Sequence, residues 1–209
     1  MTPRRRATAP AGGRDTLDDR IVDTAVALAE DVGWENVRLT VLARRLGIPV
    51  PELQRRFRDP DAIADAFFAR AARAVVAPLP KGVSGRAAPD RLALVMGRWF
   101  ETLAPHRRVA IQMLRAKLYS AHPHHWVPLI FHLSRLIQSV RDAAGLDAPG
   151  RRRQIEEIGL TSLFLVALGV WANDRTPHHD RTRRVLARGF GCGETILTGL
   201  FSAPKPSRS

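Results

Sequence analysis

The chain is poor in cysteine, has a single tyrosine, and has no lysine in its first 77 residues. One cysteine, Cys192, in 209 residues excludes an internal disulfide. The N-terminal stretch MTPRRRATAPAGGR is basic, but no apolar segment follows it, so it lacks the outline of a secretory signal and reads as a disordered arm. Together these absences point to a reducing cytoplasm. The longest strongly apolar run, GLTSLFLVALGVWA at 159–172, has about 14 residues, where a bilayer span needs roughly 20. It reads as a buried helix. No segment alternates like a strand, and no repeat is visible. There is no nucleophile elbow, P-loop, glycine-rich dinucleotide turn or acid/base pair, so an enzyme is not expected and no cofactor is implied.

What is present is apolar material and arginine. Apolar residues make up 45% of the chain, enough for a packed core. The formal charge is +13, from 33 basic and 20 acidic residues. Such a balance suits nucleic acid, an anionic membrane or acidic partners. Residues 1–77 carry 13 arginines and 11 acids, so most of the surplus lies after residue 77. Within 38–58, however, Arg38, Arg44, Arg45, Arg55, Arg56 and Arg58 stand against Glu52 alone, a local net of +5. A focused patch is what phosphate contact requires. A solvated charged face is the plainer alternative.

Apolar residues recur at helical spacing almost throughout. Leu17, Ile21, Ala25, Leu28, Ala29 and Val32 mark a first helix, capped by Asp15 or Thr16 and closed by Gly33. Thr40 is the expected cap of a short helix ending at Leu46, with Gly47 after it. Pro51 opens the next, through Phe57. Asp59 caps a fourth, with Pro60 in its first turn and Ile63, Phe67, Ala71 and Val75 on its buried side. Longer helices are expected at 90–103, 106–119, 124–144, 151–173 and 179–200, making about nine in an all-α fold. The divisions are an arm at 1–14, a small helical domain at 15–77, a Gly/Pro linker at 78–89, a larger helical domain at 90–202 and a tail at 203–209.

The segment LARRLGIPVPELQRRF at 42–57 has the form of a helix-turn-helix. A small residue (Ala43), a glycine in the turn (Gly47) and apolar contacts (Ile48, Leu53, Phe57) let two short helices cross, so that the second can enter a major groove. With RIVDTAVALAEDVGWENVRLTVLARRLGI before it and DPDAI after it, the chain over about residues 20–70 resembles the N-terminal domain of TetR-family transcriptional regulators. The resemblance implies a dimer that binds double-stranded palindromic DNA as a ligand-responsive repressor. The contact residues it suggests are Arg38, Thr40, Arg44, Arg45, Pro51, Gln54, Arg55, Arg56 and Arg58. The chain departs from the family in having Pro49–Val50–Pro51 in place of a serine or threonine cap. Gln54 and Pro60 stand where the family has a phosphate-holding tyrosine and lysine.

For the larger domain, the resemblance implies a ligand site and a dimer interface on the last two long helices. Phe68, Trp99, Phe100, Met113, Tyr119, Trp126 and Phe131 are the candidate lining for an unknown small apolar ligand; a plain core stripe is the alternative. Ile155, Ile158, Leu160, Leu163, Phe164, Ala167, Val170 and Trp171 supply the apolar content of the interface. Gly189, Gly191, Gly193 and Gly199 suggest either close helix approach or fraying. SAHPHHWVP and TPHHD offer His122, His124, His125, His178, His179 and Asp180, but without chelating spacing, so no metal is expected. A second resemblance joins LAPHRR at 103–108 and LGVWANDRTPHHDRTRRVLARGF to TetR-fold accessory proteins of ubiquinone biosynthesis. It implies lipid binding at a membrane surface.

Overall fold

Thr16 opens the first helix with a reciprocal cap. Its hydroxyl accepts the Asp19 amide at 3.1 Å and donates to the Asp19 carboxylate at 2.7 Å. The computed structural model describes residues 16–119 and 123–201, with side chains except at 119, 123–129 and 201. The arm at 1–14, the tail at 203–209 and the side chains of Asp15, Tyr119, His122, His124, His125 and Trp126 lie outside the described residues.

Nine α-helices and no strand are found among the described residues. The head comprises α1 (Leu17–Val32), α2 (Leu39–Leu46), α3 (Val50–Arg56) and α4 (Pro60–Val75). The body comprises α5 (Ala88–Leu103), α6 (Arg107–Tyr119), α7 (Pro123–Ala144), α8 (Gly150–Ala172) and α9 (Asp180–Phe201). The all-α expectation therefore holds, and the five long helices begin and end within two residues of their expected positions.

Three local expectations are corrected. Val32 is exposed, because α1 ends there and its last turn clears the core. Thr40 does not cap α2; the extended backbone of Arg38 delivers Leu39 to the core, so the helix starts at Leu39 and Thr40 sits in its first turn. Pro51 is the second residue of α3, which Val50 opens after Pro49. Asp59 does cap α4, accepting the Ala62 amide at 2.8 Å. Gly47 has a φ of +67°, a left-handed turn in which a side chain would be strained.

Head and body share one core. Ile21, Leu42, Leu53 and Ile63 belong to the same buried cluster as Met96, Leu103, Met113, Ile137 and Trp171. An aromatic seam runs through it. Trp99 lies 5.0 Å from Phe164, 5.1 Å from Phe100 and 6.2 Å from Phe68, whose ring stacks on it.

The apolar run at 159–172 proves to be part of a 23-residue helix, long and apolar enough to cross a membrane by length and composition. Its packing is that of a core helix open on one side. Leu160, Phe164, Ala167 and Trp171 are buried, and Glu156 forms a buried ion pair with Arg141 of α7 at 3.0 Å. The glycines of α9 divide in the same way. A Cβ at Gly189 would meet the end of the Leu163 side chain, so a larger residue there would displace that leucine, while Gly191, Gly193 and Gly199 face open space.

The turn between α8 and α9 is pinned by Asp174, which is 1% exposed. Its carboxylate accepts the amides of Thr176 (2.9 Å) and Thr182 (2.8 Å) and their hydroxyls (2.6 and 2.7 Å). This holds His178 and His179 at φ of 51° and 55°, left-handed positions that non-glycine residues seldom adopt. Burial raises the pKa of Asp174, but the donors on Thr176 and Thr182 outweigh burial and hold it well below the usual carboxylate range. A lowered folded-state pKa stabilises the fold above the unfolded Asp value of about 3.9, and that stability fades as pH falls toward the folded value. Asp174→Asn should therefore lower stability by about 1.5–3 kcal/mol at pH 7. The gap from the parent should narrow below about pH 4 in urea melts.

Candidate nucleic-acid interface

The crossing of α2 and α3 is set from inside. Leu42, Ala43, Leu53 and Phe57 are buried, with Leu39, Val41, Leu46, Ile48 and Val50 packed around them. Ile48 donates its amide to the Ala43 carbonyl at 3.0 Å and closes the turn. What remains outside is polar. Pro51, Gln54 and Arg55 share one exposed face of α3 at spacings of three and four, and Arg58 follows one turn later. Thr40, Arg44 and Arg45 are exposed on α2.

The six arginines of the segment are not equivalent. Arg56 bonds Asp18 of α1 at 2.6 Å. Arg58 bonds Asp59 at 2.8 Å, and Arg45 lies 3.6 Å from Asp31. Arg38 turns back on the preceding turn, donating to the Glu35 carbonyl at 2.6 Å and to that of Val37 at 3.2 Å. Arg44 and Arg55 have no bonding partner among the described residues. The local surplus of +5 thus overstates the field, because Asp18, Asp31 and Asp59 close in on it. The first two come from another helix, and no local sequence pattern announces them. All these pairs are largely exposed and weak, so a polyanion could displace the carboxylates at small cost.

Helix α6 braces the head at both ends. At its start, Arg108 bonds the Glu30 carboxylate at 3.1 Å, His106 approaches it at 3.4 Å, and Gln112 accepts the Trp34 amide at 2.9 Å. At its other end, Lys117 bonds Asp65 of α4 at 2.9 Å. His132 of α7 stands 3.8 Å from the same carboxylate.

The expected ligand-lining residues separate. Phe68, Trp99 and Phe100 pack ring against ring in the shared core, and Met113 is fully buried beside them. Phe131 is 58% exposed on α7 and lies apart from that cluster. The open concavity of the body is elsewhere. A cleft of about 530 Å³ runs between α7 and α8, with Ile130, Leu133 and Ile137 facing Gln154, Ile158 and Thr161. No group of three or more His, Cys, Asp or Glu among the described residues is placed to hold a metal.

No protein-family model matches the chain, and no curated protein matches its sequence. Solved structures do. A TetR transcriptional regulator from Nitrosomonas europaea is 33% identical, with a TM-score of 0.75 over 86% of this chain and 98% of that one. A TetR transcriptional regulator from a Rhodococcus species shares the fold at 21% identity, with a TM-score of 0.62 over 86% and 95% of the two chains. A TetR-family regulator from Streptomyces coelicolor does so at 16% identity, with a TM-score of 0.64 over 90% and 84%.

The pairing pattern separates structural from free arginines. Arg56→Ala should cost up to about 0.5–1 kcal/mol through release of Asp18, whereas the melt of Arg55→Ala should overlay the parent's. Differential scanning calorimetry of the two variants checks this.

Proposed function

The chain belongs to the TetR family of transcriptional regulators, and we propose that it is a cytoplasmic repressor whose homodimer binds palindromic double-stranded DNA and releases it on binding a small apolar effector. The observation that carries the reading is the α3 face Pro51–Gln54–Arg55 with Arg44 beside it, exposed, cationic and without carboxylate partners among the described residues. In this reading α3 lies in the major groove. Gln54 reads a base edge or donates to a phosphate. Arg44 and Arg55 hold phosphates, and Arg45, Arg56 and Arg58 exchange their carboxylates for phosphates as the duplex arrives. Thr40, at the start of α2, donates to the backbone, and Arg38 stays with its own carbonyls.

Dimerisation is supported by the open side of the last two helices. On α8, Leu165, Val166 and Gly169 are exposed, with Gly169 three and four residues from the other two. On α9, Cys192, Ile196 and Gly199 repeat the pattern. Unpartnered stripes of this period on two adjacent helices suit a four-helix bundle across a two-fold axis. The α7–α8 cleft is the effector site in this reading, since its volume of about 530 Å³ falls within the range of about 300–1,000 Å³ common to ligand pockets. Helix α6, fastened to α1 and α4, is placed to pass a shift of the body to the head. The residues shared with lipid-binding accessory proteins, Arg107 and the 171–182 turn, are engaged in holding that turn together, and nothing in the comparisons favours a membrane role.

Two outcomes test the proposal. The double variant Arg44→Ala/Arg55→Ala should weaken binding to duplex DNA from the intergenic region beside its own gene. It should also reduce the log–log salt slope by about 3.6, since the dimer loses about four phosphate contacts and each removes about 0.9. Gel shifts at several salt concentrations read both, and parent-like slopes would remove the assignment. Separately, Leu165→Glu/Ile196→Glu should convert a dimer to a folded monomer in sedimentation equilibrium, with the helical circular dichroism signal retained.

A further inference from the structure

The positive surplus after residue 77 is not spread evenly. On α9, Arg181, Arg184 and Arg188 are exposed at spacings of three and four, and Arg175 is exposed in the turn before them. None has a carboxylate partner among the described residues; the one bond they make is from Arg184 Nε to the Asp180 carbonyl at 3.3 Å. Their neighbour Arg183 is the paired one, bonded to Glu101 at 2.6 Å. Thr182, Leu186 and Phe190 turn inward, which fixes the three arginines on the outer side of the helix, away from the shared core. Beside them is an open concavity of about 380 Å³ bordered by Asp180, Arg184 and Ala187.

The stripe begins next to the head. Arg107 donates to the Asp174 carbonyl in the α8–α9 turn, while the residues on either side of Arg107, His106 and Arg108, grip Glu30 at the end of α1. Asp31, the next residue, is the partner of Arg45 on α2. Basic groups therefore follow one another from the α2 flank, over the end of α1, to the start of α9. From Arg181 to Arg188 the helix rises about 10 Å. One strand of a duplex presents a phosphate about every 3.4 Å of its axis, so this rise spans about four phosphates and lets the three guanidinium groups reach neighbouring ones.

We propose that Arg181, Arg184 and Arg188 form a second, sequence-independent phosphate-binding surface that holds duplex DNA flanking the segment read by the head. The inference rests on the DNA-binding reading above. It extends the contact surface from Arg44 and Arg55 of the head, whose neighbours are paired, to the unpaired arginines of α9 on the body. Arginine fits the task, since its fork takes phosphate oxygens in pairs and stays charged at any physiological pH.

The test uses two duplexes from the intergenic region beside the gene: the segment the protein protects from nuclease, and the same segment extended at both ends. The triple variant Arg181→Ala/Arg184→Ala/Arg188→Ala should match the parent on the short duplex. On the extended one it should bind at least about tenfold more weakly, with a salt slope lower by about 5, since the dimer loses about three phosphate contacts on each flank. Alanine suits an exposed helix face, and coincident thermal melts verify the fold. Charge-retaining Arg→Lys changes at the three positions should restore most of the loss. Equal binding by variant and parent on the extended duplex overturns the proposal, as does an equal loss on both duplexes. Loss of binding to phosphatidylserine vesicles or polyglutamate with DNA binding intact also overturns it, assigning the stripe to another partner. Failure of the parent itself to bind either duplex overturns the DNA reading and this inference with it, a result distinct from failure of the stripe alone.

Discussion

Phe68 of α4 stacks on Trp99 of α5, and through that contact the head and the body become one folding unit. Trp99 reaches on to Phe164 and Trp171 of α8. A small four-helix head buries only about 60% of the surface of its unfolded chain and is marginal by itself. Here α4 gives the head a second neighbour, so that Phe67, Ala71 and Val75 are buried although they lie at the edge of the domain. Each aromatic pair adds about 0.5–1.5 kcal/mol beyond the area it buries. The same rigidity is a functional constraint. A helix packed on the body's core is coupled to any shift of α5 or α8, and α4 begins, with its Asp59 cap, just after α3.

Around this apolar joint, charge is distributed as a set of braces rather than as a uniform positive shell. Arg70 reaches Asp19 at 3.0 Å and also bonds Asp23, tying α4 to α1. Arg108 and Lys117 tie α6 to α1 and α4. Arg141 and Glu156, both buried, tie α7 to α8. That last pair is the costly one, since removing a single partner would leave a buried charge; its value lies in fixing one register between the two helices. The exposed pairs contribute little energy each, and their effect is to decide which arginines are already engaged. Arg44 and Arg55 in the helix-turn-helix and the stripe on α9 are among the arginines left without a carboxylate partner among the described residues.

Much of this was legible in the sequence, for reasons that differ by element. The helices of the body were readable because Pro89, Pro105, Pro123 and Pro177 punctuate long apolar periodicities, and proline acts on local geometry alone. The helix-turn-helix was readable because Ala43, Gly47, Leu53 and Phe57 must sit at fixed offsets for two short helices to cross. The cap at Thr40 was misread because side-chain chemistry favoured it, while burial of Leu39 decided the boundary. The ion pairs Arg56–Asp18 and Arg45–Asp31 were not legible at all, since they join separate helices. The ligand-lining set was drawn from residue type, and type does not distinguish a ring that lines a cavity from one that fills it. Trp99 fills it.

The glycines of α9 connect these two scales. Gly189 lets α9 come against the tip of Leu163, which a side chain at 189 would displace. That approach sets how α9 is rotated against α8. With Leu186 and Phe190 then directed to the core, Ile196 and Leu200 emerge on an exposed apolar edge, while Arg184 and Arg188 point outward. The helix is thus divided both around and along its axis: Leu186 and Phe190 face the core of its own chain, Arg181, Arg184 and Arg188 stand on the outer side of its first half, and Cys192, Ile196 and Gly199 continue that side in its second half. The remaining glycines leave that apolar edge low, which permits close helix packing where bulkier residues would hold a partner away. The loss of helix propensity, about 1 kcal/mol for each exposed glycine, is a cost that association rather than folding is placed to offset.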